Sequence, residues 1–492
     1  MLFRVKSLNL STGRPVAILN DKTARLLAVF VGERVRIRKQ HSIVAVLDVA
    51  KDIIKRDEIC LSIEVMDSLN IRENDFVEVT MEPSPKTTRF ILEKLKGKKL
   101  DYEKLNAIIG DIVHNTLTEA EIAYFVSGVY INGMTDEEVA DLTRSMVAFG
   151  KKLHLRDKVY DKHSIGGIAG NRTTPIIVSI CASAGMTIPK TSSRAITSAA
   201  GTADVIETLA SVEFSVGEIE RIIAKTGGCM VWGGALGLAP ADDKIIQVER
   251  LVSLDPEAQL IASILAKKIS VNAQGVLLDI PYGKSAKVKS KSEAEKLAKR
   301  FEKISKILRL NLKAVITDGS QPIGRGIGPV LEAKDVISVL KQDDSRPLDL
   351  ERKSLYLSSL LLEMSGKAGK GKGLETASQI LKSGKAYEKF KDIIEAQHGS
   401  LDNLDKRLHT AKFSFTINSS KSGKINEMDN KKLAAVARAV DCPIDKHAGL
   451  YLHVHLRDSV KKGSPLMTIY AETMEKIGFA KEIYEKLEPI LY

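Results

Sequence analysis

Aromatic side chains make up only 5% of the 492-residue chain, with a single Trp, and this scarcity argues against the serial base-stacking platforms of single-strand nucleic-acid binders. Long apolar runs are also missing. The longest, residues 176–184, falls far short of the roughly 20 residues a membrane helix requires. The opening stretch MLFRVKSLNLSTG lacks the apolar core of a signal peptide. Cys60, Cys181, Cys229 and Cys442 show no paired spacing, which argues against a disulfide framework and predicts a reduced, cytoplasmic protein. A net charge of +12 is mixed with 62 acidic residues rather than gathered in basic arms, so anionic small molecules are a simpler partner than nucleic acid.

At 44% hydrophobic and 28% charged, the chain can bury large cores and is too long for one compact domain. Residues 1–84 read as a small β-rich domain with strands at RVRI, SIVAVLDVA, EICLSIEVM and DFVEVTM. MEPSP supplies a linker whose prolines disfavour both helix and ladder. Residues 86–157 become helical, each run opening on a cap residue. Over 158–405, strand-like VLLDIP and KAVIT alternate with helical runs, implying parallel βα units followed by further helices. Residues 406–492 return to strands around one helix, a C-terminal α+β domain. GKAGKGKG (366–373) imitates a P-loop, but Gly373 stands where the metal-binding hydroxyl belongs and a helix precedes it, so it is a helix exit.

The chemistry concentrates between residues 161 and 204. In DKHSIGG a short strand runs into paired glycines, then through GNRTTP into an apolar helix. Glycines let backbone N–H groups approach an oxyanion, and Pro175 suits the first helical position of a helix whose positive end points at the same place. Lys162 and Ser164 add a charge and a hydroxyl. TSSRAITSAAGTAD (191–204) crowds hydroxyls and one Arg among small residues, which suits phosphate oxygens better than core packing. In DPEAQLIASILAKK (255–268), Asp255 is placed to cap a helix opened by Pro256, and Asp255, Ser263 and Lys267 fall near one helix face. His453 and His455, read as one face of a strand, have no third metal ligand near them in sequence.

Together DKHSIGG, SRAITSAAGTAD, LAPADDK, ASILAKK and TDGSQPIGRGIG resemble the thymidine and pyrimidine nucleoside phosphorylases, over about residues 88–490. Within that family, the N-terminal β domain, SRAITSAAGTAD and DIPYGKSAKVKS are similar to the archaeal-type branch that acts on AMP. The resemblance implies a multidomain α/β fold in which a helical domain faces an α/β domain across a cleft. It also implies at least a dimer, and phosphorolysis of AMP to adenine and ribose 1,5-bisphosphate without metal or organic cofactor. Phosphate would be held by Lys162, Ser164, Thr174, Ser192 and Thr202, with Gly167 lining the floor. The nucleotide would meet Ser193, Arg194, Ala195, Ile196, Thr197, Ser198, Thr202, Ser263 and Lys287, with Lys267 on the base side. His163 would shape the base or ribose pocket or orient its loop.

Lys287 stands where deoxynucleoside enzymes match an uncharged side chain, and can pair with a 5′-phosphate. The ungapped match puts Val248 where pyrimidine enzymes carry a base-gripping Arg, which favours a purine. Asp255 is then the proton donor to the departing base, a task that requires its carboxyl raised by burial or by a neighbouring carboxylate. The rival expectations are a pyrimidine nucleoside phosphorylase and, from another class, a nucleic-acid-binding scaffold.

Overall fold

The computed structural model describes residues 1–195 and 198–492, apart from the Ala235 side chain. It separates into two compact units, residues 1–150 with 239–266 and residues 151–238 with 267–492.

The first unit opens on a closed barrel. Its strands β1 (Leu2–Ser7), β2 (Val16–Asn20), β3 (Arg34–Arg38), β4 (Ser42–Ala50), β5 (Glu58–Leu61) and β6 (Phe76–Met81) are ordered β1-β5-β2-β4-β3-β6. Each strand sends an alternating pair inward: Phe3 and Val5, Ala17 and Leu19, Val35 and Ile37, Ala45 and Leu47, Ile59 and Leu61, Val77 and Val79. Period-two patterning thus builds the core, and closure removes the open edges. EICLSIEVM departs from the expected continuous strand. Pairing stops at Leu61, and Ser62 starts the helix Ile63–Leu69.

Helices Thr87–Leu95, Tyr102–Val113, Glu119–Asn132 and Asp136–Ala148 follow. Thr118 with Glu121 and Thr135 with Glu138 form capping boxes that satisfy the first N–H groups of the last two. Pro240–Val252 joins this bundle from far along the chain. Lys244 Nζ donates to the Ile112 carbonyl at 2.9 Å, the Val113 carbonyl at 2.8 Å and Asn115 Oδ1 at 2.5 Å, closing the end of Tyr102–Val113.

In the second unit β7 (Val159–Ser164), β8 (Ile188–Ser192), β9 (Gly228–Trp232), β10 (Ala273–Tyr282) and β11 (Asn311–Asp318) supply two parallel sheets, ordered β11-β10-β7 and β8-β9. The helix Thr173–Ser183 is buried from Thr173 to Ala182, which explains its uninterrupted apolar run. Pro175 is its third residue rather than its first, a place that still requires no N–H. A further sheet runs Gly326–Ile327, Gly449–Leu452, Pro465–Ala471, Phe413–Asn418. Its strand Gly449–Leu452 ends before His453, so alternation does not align His453 with His455. Instead His453 Nε2 pairs with Thr468 Oγ1 at 2.8 Å.

Candidate active site

Strand β7 carries Asp161, Lys162, His163 and Ser164 to its C-terminal end, with Leu277 beside Lys162 and Asp279 beside Ser164 on β10. Alternation divides the four between two faces. On one, Asp161, wholly buried, accepts from Lys268 Nζ at 2.6 Å, with Lys190 Nζ 3.8 Å from its other oxygen. On the other, Lys162 Nζ donates to Thr173 Oγ1 at 3.1 Å, and Ser164 Oγ donates to Asp279 Oδ2 at 2.9 Å. Asp279 also accepts from Thr317 Oγ1 at 2.6 Å and lies 3.2 Å from Lys353 Nζ.

Four buried or nearly buried lysines, Lys162, Lys190, Lys268 and Lys353, therefore surround two buried aspartates. With all charged, each face of β7 carries a surplus of one positive charge, Lys162 and Lys353 against Asp279 on the face of Ser164, and Lys190 and Lys268 against Asp161 on the other. Burial pulls Lys162 down to about 8 and Lys190 down to about 7, with Asp279 and Asp161 respectively opposing the shift. Burial, then the nearby Lys268, Lys190, Lys162 and Lys267, hold the half-buried His163 well below the usual histidine range, so its imidazole is neutral at pH 7.

Beyond β7 the chain turns through Gly166 and Gly167 in the left-handed region. A Cβ on Gly167 would lie 2.6 Å from the backbone N of Lys287, so only glycine permits this approach of loop to loop. Arg172, just before the helix Thr173–Ser183, pairs with buried Glu332 and donates to Thr202 Oγ1 at 2.9 Å and the Ala200 carbonyl at 2.7 Å. Burial pushes the Glu332 carboxyl up and Arg172 opposes that.

The second loop leaves β8 at Ser192. Among the described residues, Ser192 Oγ is a buried hydroxyl without a hydrogen-bond partner. Asp204 closes the loop by accepting from the Ala195 and Gly201 N–H groups, each at 2.7 Å. Arg194 is committed within the fold: it forks onto Glu207 at 2.9 and 2.8 Å, reaches Glu213 at 2.9 Å and lies 4.8 Å from the Trp232 ring. Glu207 is held down at about 2, first by Arg194 and then by Lys446, 2.8 Å away. Ser198 Oγ donates to the Ala200 carbonyl at 2.6 Å. Ile196 and Thr197 lie outside the described residues.

The C-terminal part supports both loops. Asn430 Oδ1 accepts from the Ala169 N–H at 3.1 Å, while its Nδ2 donates to Ser285 Oγ at 3.1 Å and the Gly319 carbonyl at 3.2 Å. Cys442 Sγ approaches the Ala199 carbonyl at 3.4 Å.

The second unit holds Lys162, Ser164, Gly167, Ser192 and Thr202, bonds Lys162 to Thr173, Ser164 to Asp279 and Thr202 to Arg172, and adds residues that sequence reasoning missed: Arg172, Thr173, Lys190, Lys268, Asp279 and Lys353. Thr173, not Thr174, meets Lys162, although both are buried. Asp279 left a readable signal, a carboxylate inside the otherwise apolar strand VLLDIP.

Asp255 and Ser263 lie in the first unit. Leu260 N–H donates to the Pro256 carbonyl at 3.0 Å and the helix runs Glu257–Ser270, so Pro256 takes the cap position rather than the first helical one and Asp255 precedes it. Asp255 is exposed rather than buried, and so lacks the desolvation expected of its role. Ser263 Oγ donates to buried Asp242 at 2.8 Å. Val248 is buried and Arg250 exposed.

Three family models match in succession: the glycosyl transferase family helical bundle domain over residues 88–150, its a/b domain over 156–387, and the pyrimidine nucleoside phosphorylase C-terminal domain over 424–488. The Thermus thermophilus anthranilate phosphoribosyltransferase structure aligns with TM-score 0.52 at 16% identity, covering 63% of this chain and 99% of that one, a likeness of fold. AMP phosphorylase of Pyrococcus furiosus is 42% identical over 99% of this chain and 97% of its own. Those of Methanococcoides burtonii, 42% over 100% and 97%, and Methanocaldococcus jannaschii, 41% over 96% and 94%, agree. With relatives of this identity along nearly its whole length, the chain belongs to the AMP phosphorylase family.

Proposed function

We propose that the protein cleaves AMP by phosphorolysis, yielding adenine and ribose 1,5-bisphosphate in nucleotide salvage, and that it accepts other nucleoside 5′-monophosphates. The observation that carries this reading is the surplus of buried or nearly buried lysines over aspartates on each face of β7, with Thr173 bonded to Lys162 and Ser164 to Asp279 on one of them. In water such a surplus would be unremarkable, but buried it is costly without an anion, which phosphate supplies.

Phosphate is held by Lys162, Ser164, Thr173, Thr174, Ser192 and Thr202, over the floor at Gly167. Residues 193–198, Thr202, Ser263, Lys267 and Lys287 contact the nucleotide. A phosphate oxygen attacks C1′ as the C1′–N9 bond breaks. The bond pair leaves with adenine, which takes a proton at N7; we assign Asp255 as its donor on the resemblance, and because Asp255 is exposed in the substrate-free chain the bound nucleotide must provide the shielding that role requires. The anion of bound phosphate stabilises the positive charge developing on the sugar. Neutral His163 contributes a donor or acceptor without adding charge.

Among the described residues no helix is long and apolar enough to cross a membrane. We place the enzyme in the cytoplasm as a homodimer or larger assembly. Exposed Tyr124, Tyr130 and Ile131 on the helix Glu119–Asn132 support assembly, because apolar patches on such a surface favour a partner. The test is base release from AMP, CMP, UMP and thymidine with and without phosphate. Phosphate-dependent adenine release is expected, and thymidine turnover without AMP turnover would overturn the reading.

A further inference from the structure

The hydroxyls around the buried lysines differ in what they can offer an anion. Thr173 Oγ1 accepts from Lys162 and Thr202 Oγ1 accepts from Arg172, so each keeps its hydrogen to donate. Ser164 is the opposite case. A carboxylate can only accept, so at 2.9 Å from Asp279 Oδ2 the single hydroxyl hydrogen of Ser164 is spent on Asp279. Asn171 Nδ2 makes a long approach to the same Oγ at 3.5 Å, leaving a lone pair of Ser164 as its remaining offer.

Burial pushes the Asp279 carboxyl up, but its cationic and hydroxyl neighbours outweigh this and hold it below the usual aspartate range. Lys353 from the helix Leu348–Met364 lies 3.2 Å away, Lys162 faces it from β7, and the Thr317 hydroxyl on β11 donates to its other oxygen at 2.6 Å. Lys353 Nζ is buried and, among the described residues, makes no hydrogen bond. Its interaction with Asp279 is one of charge.

The geometry points to Asp279 and Lys353 as positioning residues that make Ser164 an acceptor, so the phosphate subsite selects an oxyanion bearing a proton, HPO4 2−, with its P–OH directed at Ser164. This rests on the phosphate assignment above and deepens it. Anchoring the one protonated oxygen at Ser164 leaves the unprotonated oxygens to the lysines and to C1′, so the attacking atom has no proton to lose. Sulfate has the same shape and charge but no proton. Against Ser164 it would set lone pair against lone pair. Arsenate, which carries the proton, should bind as phosphate does.

The experiment is direct calorimetric binding of phosphate, arsenate and sulfate to the full chain at neutral pH without nucleotide, so that it stands apart from whether AMP is turned over. Phosphate and arsenate are expected to bind at least about tenfold more tightly than sulfate, the scale of one hydrogen bond gained against one lone-pair clash. Ser164→Ala should weaken phosphate about tenfold while leaving sulfate unchanged or tighter. Asp279→Asn, which lets the Ser164 hydrogen turn outward, should collapse the preference. Lys353→Met should narrow it, and Lys353→Arg should restore it. Equal binding of sulfate and phosphate by the unaltered protein, or an equal loss of both in Ser164→Ala, would overturn the proposal. Should Asp279→Asn fail to fold, the isosteric Ser164→Ala comparison still decides it. Binding of neither phosphate nor arsenate would instead reject the phosphate assignment itself.

Discussion

Replacing Arg172 by Met separates what holds the site together from what it does. Arg172 is 6% exposed, and its guanidinium ties Glu332, 1% exposed, to Thr202 and to the Ala200 carbonyl. Removing it leaves a buried carboxylate with the Gly328 N–H at 3.0 Å but without its charge partner, which costs up to about 3–5 kcal/mol. The stranded Glu332 limits that cost by taking a proton. A carboxyl whose folded pKa is raised binds a proton in the folded state that the unfolded chain has released. Stability therefore falls as pH rises from the unfolded value toward the folded one, by up to about 1.4 kcal/mol per pH unit. Denaturant titrations of Arg172→Met from pH 5 to 9 should show the deficit growing with pH. Adding Glu332→Gln should remove the pH dependence and recover most of the stability. Phosphate affinity should stay weakened about tenfold in the double variant, because Thr202 has lost the donor that turns its hydrogen toward the anion. A pH-independent deficit below about 1 kcal/mol, or full phosphate affinity in the double variant, would refute the reasoning.

Asp255→Asn should lower kcat by a factor of about 100 or more while AMP binding, followed by calorimetry, stays within a few-fold, and near-normal turnover would reject the proton-donor assignment. Lys287→Ala should raise KM for AMP far more than for adenosine, and equal losses would remove its 5′-phosphate role. As pH rises through about 7 and then about 8, Lys190 and Lys162 of the anion-free protein lose their protons. Phosphate binding above that range should then be accompanied by proton uptake, read as a binding heat that depends on the buffer's ionisation enthalpy, and buffer-independent heats would contradict it.

The loop proposed to hold phosphate was legible because its signals are local: glycines, hydroxyls and a lysine between a strand and an apolar helix. The groups that charge it are not local. Lys268 meets Asp161 across 107 residues of sequence, and Arg172 meets Glu332 across 160. Lys190, Lys268 and Lys353 each resemble an ordinary surface lysine until the fold buries them, because a lysine side chain carries no mark of its destination. Chain order likewise concealed that residues 239–266 complete the helical unit, since the helix patterns of Pro240–Val252 and its successor suit either neighbour. EICLSIEVM misled for a related reason: an apolar run of that length fits strand or helix, and the change from one to the other at Ser62 leaves no capping bond from its side chain to mark it.

The sheet that receives Gly326–Ile327 gives the C-terminal region an unusual grammar. That strand is spelled some eighty residues before the others begin, so residues 406–492 form an incomplete clause when cut out as a fragment, with Gly449–Leu452 losing its neighbour along one edge. Asn430 makes the dependence mutual, since its one side chain satisfies Ala169, Ser285 and Gly319 at once. A chain stopped at residue 405 would leave the loop behind DKHSIGG unsupported. This region therefore cannot be exchanged as a cassette between relatives unless the segment after β11 travels with it.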